Sequence, residues 1–588
     1  MLGLEGEFVV VDDMGSDFPL IIFPLEKSKL SSYYYLKIHM EGNKMRIIIL
    51  FISICFCLVF MMSSEAKVEK QKYSLIIKNG NIIDGTGNPW FKADIGVRGG
   101  IIVKIGSLSS ASGEKIIDAQ GLIVSPGFID IHNHSDDGLL INPKAENYVR
   151  QGVTTMFIGQ CGSTMVPSQD WPTFKKYFSR LEEKGMATNV ASLIGHGQIR
   201  KHVIGNDDRK PTAEELEKMK NIIAQAMEDG AYGLSTGLVY HPGMFADEEE
   251  IIELCKVVAK HDGLYATHVR DDAAGWEDSI LESIETAEKS GVRLQISHNE
   301  SHYPNWGKLD KIMKHIEDAR ARGLRVSCDV IPTLCGSQGI TNVFPNWALA
   351  GGVKKLVERL KNPAELAKIR KYVLHEKEKH TSPASTLIAD GHADKIWVEG
   401  KNLAEIAQET GLTPLDAAID LVLKRKNNIG IIQEFHFEDD LCKLIQHPLS
   451  SICSDAEIVS FGKGMPNPRC YHCFPLIFRK YVRGETRKEE PQEVGRKILS
   501  LQEAVRKITS CPAQRLRLRD RGLLRENMCA DIVIFDQQKI GDQATYKNPH
   551  GYPKGIPHVI VNGELVVENG QHTGALPGKV IRGPRYSK

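Results

Sequence analysis

Residues 121–136 read GLIVSPGFIDIHNHSD, an apolar run that closes on a pair of histidines. Valine, isoleucine and phenylalanine favour an extended strand, and the run has the length of a buried one. Side chains two positions apart on a strand point to the same side. We therefore expect His132 and His134 to present two imidazoles together where this strand ends, an arrangement typical of metal binding.

The pattern of a buried run followed by a helical stretch recurs along the middle of the chain. Such alternation is typical of βαβ units and a parallel sheet. Eight runs follow it, at 121–132, 154–159, 189–195, 232–238, 264–269, 293–298, 324–331 and 450–455. Eight β/α units predict an α/β protein with a TIM (β/α)8 barrel, here over residues 126–518. The long interval before the last run predicts an inserted subdomain at about 335–448, capping the active face.

Both ends of this region are rich in short strands punctuated by glycine and asparagine. Residues 74–85 read SLIIKNGNIIDG, and residues 558–567 read HVIVNGELVV. The two ends therefore predict one small, β-sandwich-like domain assembled from residues 67–125 and 519–588.

Residues 45–66 read MRIIILFISICFCLVFMMSSEA, which has the form of a secretory signal peptide. Arg46 supplies the positive charge, and the apolar run 47–62 is short for a membrane span. An uncleaved membrane anchor is the alternative. We expect cleavage after Ala66, export to the periplasm or outside, and no stable membrane association afterwards. Residues 1–44 are interpreted as a non-native upstream extension.

The charge balance argues against several partners. Lys+Arg and Asp+Glu number 74 each, so no basic footprint for nucleic acid stands out. Of twelve cysteines, two lie in the signal segment, and the remaining ten over such a length do not form a disulfide framework. The expected partner is a small molecule, and the oligomeric state is left open.

Metal-binding residue types follow the predicted barrel strands at one end. They are His132, His134, Cys161, His196, His268, His298, Asp329 and Asp455. Catalytic groups of a TIM barrel lie at the C-terminal ends of its strands, so this pattern predicts a metal site at the barrel mouth. Imidazole and thiolate ligands favour zinc over magnesium or calcium. We favour a structural role for Asp329, and a supporting role for His196 is at least as plausible as an active-site one.

A catalytic zinc ion keeps one coordination position open and lowers the pKa of a water there to about 7. Asp455, at the end of the last strand, is then the natural general base. It would take the proton of the water and return it to the leaving nitrogen. The sequence therefore predicts a metal-dependent hydrolase.

Several motifs resemble those of the amidohydrolase superfamily and, within it, the N-acyl-D-amino-acid deacylases (D-aminoacylases). PGFIDIHNHSD at 126–136 is similar to the superfamily's first-strand motif. The deacylase blocks have their counterparts in GQCG at 159–162, AYGLSTGLVYHPGMFA at 231–246, YATHVR at 265–270, QISH at 295–298, NPR at 467–469 and DRGLLRENMCADIVIFD at 520–536. The resemblance covers nearly the whole chain after the signal segment.

The resemblance implies zinc-dependent hydrolysis of a linear amide C–N bond, with an N-acyl-D-amino acid or related N-acyl compound as substrate. The metal residues that it implies are Cys161, His268 and His298 for one tight zinc site, and His132 and His134 for a second, weaker one. Asp455 matches the catalytic aspartate of the family, and Arg469 matches an arginine that binds the substrate carboxylate.

The chain departs from the family at the substrate pocket. Deacylases usually carry a lysine where Glu300 stands, and the usual Asp-x-Tyr-Pro-Tyr reads Asp-Val-Ile-Pro-Thr at 329–333, which puts Thr333 in place of a tyrosine. The family lysine and one tyrosine help to hold the substrate carboxylate. A bidentate arginine alone still holds a carboxylate, but a charged Glu300 nearby would repel it. We therefore expect intact metal chemistry and an altered substrate range.

Two alternatives stay open at this stage. One is another amidohydrolase activity, such as a dipeptidase or a cyclic-amide hydrolase. The latter would favour a lysine in the fourth run, and YGLSTGL at 232–238 has none. The other is a non-catalytic binding protein on a hydrolase scaffold, although such descendants usually lose a ligand or the base.

Overall fold

The computed structural model describes residues 72–374, 386–389, 398–426, 429–490 and 493–586. These described residues belong to one compact unit. The predicted upstream extension 1–44 and signal peptide 45–66 lie outside the described residues.

Across the described ranges, no helix is both long enough and apolar enough to span a bilayer.

A parallel barrel occupies the middle of the chain. Its eight staves, here called barrel strands 1 to 8, are Phe128–Asp130, Val153–Ile158, Asn189–Ser192 continued by Ile194–Gly195, Gly233–Gly237, Leu264–His268, Arg293–Ile296, Val326–Val330 and Ser450–Ile452. Neighbouring strands pair in chain order, and barrel strand 8 pairs with barrel strand 7. The backbone N–H of Asp455 donates to the carbonyl of His132 at 2.9 Å, joining the chain after barrel strand 8 to the chain after barrel strand 1. The TIM barrel is therefore confirmed.

The first predicted run divides into two strands rather than one. Ile123–Pro126 pairs with strands of the terminal sheet, and barrel strand 1 begins only at Phe128. Gly127 lies at the crossing, where an added Cβ would collide with the side chain of Thr154. A glycine is therefore required where the chain changes sheets, because any larger residue would collide with the Thr154 side chain of barrel strand 2.

Helices surround the barrel. They are Gly138–Ile141, Glu146–Val149, Phe174–Lys184, His196–Val203, Ala213–Glu228, Glu248–Lys260, Trp276–Ser290, Leu309–Ala321, Glu438–Gln446, Arg469–Leu476, Leu501–Ile508 and Ser510–Leu516. The helix Ala213–Glu228 begins with a capping box between Thr212 and Glu215. Its buried side chains, Met219, Ile223, Ala226 and Met227, recur on one face of the helix and pack in the main core.

The two ends of the described chain meet in one nine-stranded sheet. Its strands are Tyr73–Ile82, Phe91–Arg98, Ile101–Gly106, Gly113–Asp118, Ile123–Pro126, Ile532–Phe535, His558–Val561, Glu564–Glu568 and Gln571–His572. Ile532 and Ile534 point into the core of this sheet, while Val533 and Phe535 join the core that includes the barrel helices. Because alternate side chains of this strand face opposite sides, the strand packs in both cores and joins the small domain to the barrel. The limits 67–125, 126–518 and 519–588 stay predictions.

The insertion between barrel strands 7 and 8 has a sheet and a hydrophobic core of its own. Its elements are the strands Cys335–Gly339, Leu387–Ile388 and Gly430–Glu434, the helices Val353–Lys361, Pro363–Tyr372, Leu403–Thr410 and Pro414–Arg425, and the short 3₁₀ turns Ile340–Val343 and Asn346–Leu349. It ends earlier than the predicted residue 448. The helix Glu438–Gln446 buries Leu441, Leu444 and Ile445 in the main core and therefore belongs to the barrel.

The insertion contacts the loops that follow several barrel strands. Asn467, after barrel strand 8, donates to the Ser337 hydroxyl at 2.7 Å. The ring of His302, after barrel strand 6, stacks on Phe435 with centroids 5.1 Å apart. The insertion therefore lies at the C-terminal mouth of the barrel, where the predicted ligands are.

Candidate metal centre

Three site residues follow barrel strands in an unusual backbone conformation. Cys161, His298 and Asp455 have φ angles of 50°, 31° and 46°, in the left-handed region that L-residues rarely adopt. Such conformations cost free energy and persist where the surroundings impose them, often at functional sites. Each turn redirects a side chain inward just after a strand ends.

The first cluster is centred on the sulfur of Cys161. Its Sγ lies 3.8 Å from Nδ1 of His268 and 3.6 Å from Nε2 of His298. The ring centroids of the two histidines are 4.3 Å apart. The structure therefore brings together the three residues expected for the tight zinc site.

A second cluster shares the same sulfur. His132 Nε2 lies 3.4 Å from Cys161 Sγ and 3.3 Å from Asp455 Oδ1. His134 Nε2 lies 3.0 Å from the same carboxylate oxygen. Potential ligand atoms of His132, His134, Cys161 and Asp455 all lie within 4.8 Å of one another. Cys161 thus stands between the two predicted metal sites, as a bridging ligand would.

The spacing of these atoms fits zinc. A tetrahedral zinc ion holds sulfur at about 2.3 Å and nitrogen at about 2.0–2.1 Å, which separates the two ligand atoms by about 3.5 Å. The three sulfur–nitrogen distances around Cys161 are 3.4, 3.6 and 3.8 Å. Thiolate and imidazole are also the donors that zinc prefers, so the residues fit the ion in both geometry and chemistry.

The two anionic groups of the site are held ionised. Burial alone would raise the pKa of Cys161, but the charge of His132 and hydrogen bonds from the neighbouring imidazoles hold it well below its usual range. Burial also opposes the charge on Asp455, yet the Arg469 guanidinium and hydrogen bonds from His132 and His134 keep its pKa well below the ordinary value. Both groups are therefore ready to act as a ligand and as a proton acceptor.

The imidazoles that face these two anionic groups have raised pKa values. Burial would lower the pKa of His134, but hydrogen bonds to Asp455 and Cys161 raise it to about 10. The pKa of His268 rises to about 9 against burial, through its contacts with Asp272 and Cys161. This electrostatic environment favours positive charge between the sulfur and the carboxylates, which is what a bound cation provides.

Asp329 lies beneath both clusters. Its Oδ1 accepts the backbone N–H of His298 at 2.7 Å and lies 3.5 Å from Nδ1 of His132. Its Oδ2 accepts from the Gln295 amide at 2.7 Å. The predicted structural role therefore takes a specific form: one buried carboxylate bonds to the backbone of a histidine of one site and faces the ring of a histidine of the other.

Sequence reasoning missed Asp272 and His302. Asp272 Oδ2 lies 3.4 Å from His268 Nε2, and its Oδ1 lies 3.5 Å from His302 Nδ1. Burial opposes its charge, but the charge of His302 and the contacts with both histidines hold the pKa of Asp272 well below the ordinary value. Their positions in the sequence could have indicated them, because Asp272 follows His268 by four residues and His302 follows His298 by four.

Arg469 lies against the proposed base. Its Nη1 is 2.9 Å from Asp455 Oδ2. In the described part of the chain this buried nitrogen nevertheless makes no aligned hydrogen bond. The guanidinium therefore keeps donor capacity for an anionic group at the barrel mouth.

The side chains of Glu300 and Thr333 form hydrogen bonds with the protein backbone. The backbone N–H of Ile331 donates to Glu300 Oε1, and the Thr333 hydroxyl donates to the carbonyl of Cys335 at 3.2 Å. Burial, followed by the nearby carboxylates Asp329 and Asp455, raises the pKa of Glu300 well above its ordinary value. The repulsion of a substrate carboxylate expected from a charged Glu300 is therefore weakened, because its neutral form is favoured.

His196 takes the supporting role considered for it. Its Nε2 lies 2.8 Å from Glu250 Oε1, and the other oxygen of Glu250 pairs with Arg200. All three side chains are buried. They anchor the helix that follows barrel strand 3.

Comparison with known proteins agrees with this geometry. The chain matches the amidohydrolase family over residues 115–332 and 478–567. This chain belongs to the amidohydrolase family. The amidohydrolase is 30% identical over 547 residues to the N-acyl-D-glutamate deacylase of Alcaligenes xylosoxydans xylosoxydans, covering 87% of this chain and 97% of the relative.

Two solved structures extend the likeness. N-acyl-D-glutamate deacylase from Bordetella bronchiseptica, in complex with zinc and a phosphonate mimic of the tetrahedral intermediate, is 29% identical with a TM-score of 0.73, covering 87% of this chain and 100% of that chain. A D-aminoacylase studied for its binuclear metal centre, with one-metal activation and second-metal attenuation, is 29% identical with a TM-score of 0.72 and the same coverage. The predicted family and fold class are confirmed.

The ligand assignment predicts which substitutions remove tightly bound zinc. Cys161→Ala and His268→Ala should each lower the zinc content after dialysis to a small fraction of the wild-type value, because each removes a ligand of the first cluster. Cys255→Ala, which removes a buried thiol from the helix Glu248–Lys260, should retain full zinc. Elemental analysis that finds full zinc in both ligand variants would contradict the assignment.

Proposed function

We propose that this amidohydrolase is a zinc-dependent deacylase that hydrolyses the linear amide bond of an N-acyl-D-amino acid or a related N-acyl compound. The observation that carries the proposal is the cluster of Cys161, His268 and His298 with Asp455 beside it. The relatives named above, deacylases of N-acyl-D-glutamate and a D-aminoacylase, support the substrate class.

The zinc ion and the side chains of the protein contribute different parts of the reaction. Zinc held by the first cluster supplies Lewis acidity and makes water nucleophilic near neutral pH. Asp455 accepts the proton of the water and delivers it to the amide nitrogen as the C–N bond breaks. The products are a carboxylic acid and a free amine, and Asp455 returns to its ionised form.

Three neighbours prepare Asp455 for this role. His134 Nε2 at 3.0 Å and His132 Nε2 at 3.3 Å both contact Oδ1, which fixes the plane of the carboxylate. Arg469 contacts the opposite oxygen at 2.9 Å. Asp455 is therefore oriented before substrate binds, which lowers the reorganisation needed during the reaction.

Arg469 is the proposed anchor for the carboxylate of the substrate. Its guanidinium is buried, and its fork geometry suits a carboxylate in bidentate contact. A carboxylate bound there would lie beside the proton acceptor. This fixes the orientation of an N-acyl amino acid relative to Asp455.

We further propose that the substrate range differs from that of a simple N-acyl-D-amino-acid deacylase. The lysine and tyrosine positions of the family are Glu300 and Thr333, and both side chains bond to the protein backbone. Arg469 is then left without those two partners for a substrate carboxylate. A cationic, neutral or larger acyl derivative suits this pocket.

The role of Asp455 can be tested separately from metal binding. Asp455→Asn keeps the size of the side chain and removes its basicity, so kcat should fall by about 10²–10⁴-fold while zinc at the first cluster is retained. Asp137→Asn, on an exposed carboxylate near the same mouth, is the control and should leave kcat unchanged. Activity of Asp455→Asn within threefold of wild type would contradict the assignment.

The substrate range can be tested with matched pairs. The zinc-loaded protein should release acetate from N-acetyl-D-Met and N-acetyl-D-Glu and from their amides, with kcat/KM for each amide within about tenfold of its acid, roughly 1.4 kcal/mol. The L-enantiomers serve as controls for stereochemistry. A strong preference for the free acids would contradict the altered pocket.

The segment 45–66 supports a further proposal, export to the periplasm or outside the cell. Expression in a secreting host should yield a protein whose first residue, by N-terminal sequencing, is Lys67. A mature protein that retains residues 45–66 would favour a membrane anchor and contradict cleavage.

A further inference from the structure

The loop after barrel strand 5 puts a carboxylate behind a proposed zinc ligand. His268 presents Nδ1 to Cys161 Sγ at 3.8 Å and Nε2 to Asp272 Oδ2 at 3.4 Å. Among the described residues, His268 Nε2 has no aligned hydrogen bond, so the contact is that of a nearby charge. One ring nitrogen is therefore available to an ion while the other faces an anion.

The second carboxylate oxygen of Asp272 faces His302 instead of the proposed zinc ligand. Asp272 Oδ1 lies 3.5 Å from His302 Nδ1. The His302 ring is stacked on Phe435 with an interplanar angle of 13° and lies 5.2 Å from the ring of His436. Phe435 and His436 directly follow the strand Gly430–Glu434, by which the chain leaves the insertion.

We propose that Asp272 is a positioning residue for the zinc site, and that His302 couples Asp272 to the inserted subdomain through Phe435. The inference deepens the proposed function and rests on zinc being held by Cys161, His268 and His298. It assigns the insertion a part in the metal affinity of the barrel.

The physical reason is the usual outer partner of a metal-binding histidine. A carboxylate that accepts the second ring N–H fixes the orientation of the imidazole and strengthens it as a ligand, and loss of such a partner typically weakens metal binding about 10–100-fold. The Asp272 side chain is 29% exposed, so burial alone does not fix its orientation and a further contact is required. His302 supplies it, because the stack on Phe435 fixes the direction of Nδ1.

The first test compares two adjacent carboxylates. Asp272→Asn keeps the shape and removes the charge, so zinc should bind about 10–100-fold more weakly in competition with a chelator. The visible spectrum of the Co²⁺-substituted variant should also shift. Asp271→Asn is the matched control, because Asp271 bonds to the backbone N–H of Ala273 at 2.8 Å and should leave both readouts unchanged. Wild-type affinity and spectrum in Asp272→Asn would overturn the positioning role.

The second test addresses the link between His302 and Asp272, on which the coupling to the insertion depends. His302→Phe keeps a ring to stack on Phe435 and removes the nitrogen that faces Asp272. It should weaken zinc binding several-fold in the wild-type background and have no effect in the Asp272→Asn background, because coupled residues are not additive. Equal losses in both backgrounds, or no loss in the wild-type background, would overturn the coupling.

Two further measurements distinguish a loss of stability from a loss of the Asp272 charge. Thermal melting of the metal-free variants should match that of the metal-free wild type, and the conservative Asp272→Glu should bind zinc more tightly than Asp272→Asn. An Asp272→Glu protein no better than Asp272→Asn would overturn the role of the charge. A wild-type protein that binds no zinc would contradict the proposed function itself.

Discussion

The sulfur of Cys161 lies among the imidazoles of His132, His268 and His298, and much of the surrounding structure serves to keep it there. The cysteine occupies a left-handed turn between Gly159 and Gly162, which themselves have φ angles of 77° and 73°. A Cβ on Gly162 would meet the backbone of Gly237 at 2.9 Å. The turn therefore packs tightly against barrel strand 4. A buried thiolate near the carboxylate of Asp455 is costly without compensating positive charge, so this arrangement favours a cation.

Two carboxylates outside the metal clusters hold the ligands in place. Asp329 reaches a histidine of each site from below, and Asp272 faces the outer nitrogen of His268. Neither carboxylate needs to touch the metal to influence it, because the direction and basicity of an imidazole depend on what its other nitrogen meets. Through His302, this second layer extends to the insertion at the barrel mouth, which adds a physical link between the inserted subdomain and the centre of the barrel.

The barrel and its ligands were predictable because strand alternation and strand ends leave a direct pattern in the sequence. The spacing of His132 and His134, and the histidines that end or follow the runs at 264–269 and 293–298, required no knowledge of loops. The division of the first run at Gly127 was not predictable, since an uninterrupted apolar run does not show where a chain changes sheets. Asp272 and His302 were missed because their meeting depends on loop conformation. Glu300 was expected to be charged, since burial within the barrel is not visible in its immediate sequence.

The central claim is that a zinc ion in this amidohydrolase is bound through the sulfur of Cys161 together with imidazole nitrogens. X-ray absorption at the zinc edge of the loaded protein tests it most directly, because sulfur and nitrogen scatter differently and lie at different distances. The account predicts one sulfur at about 2.3 Å with nitrogen or oxygen neighbours at about 2.0–2.1 Å. A shell of nitrogen and oxygen alone, with no sulfur, would contradict it.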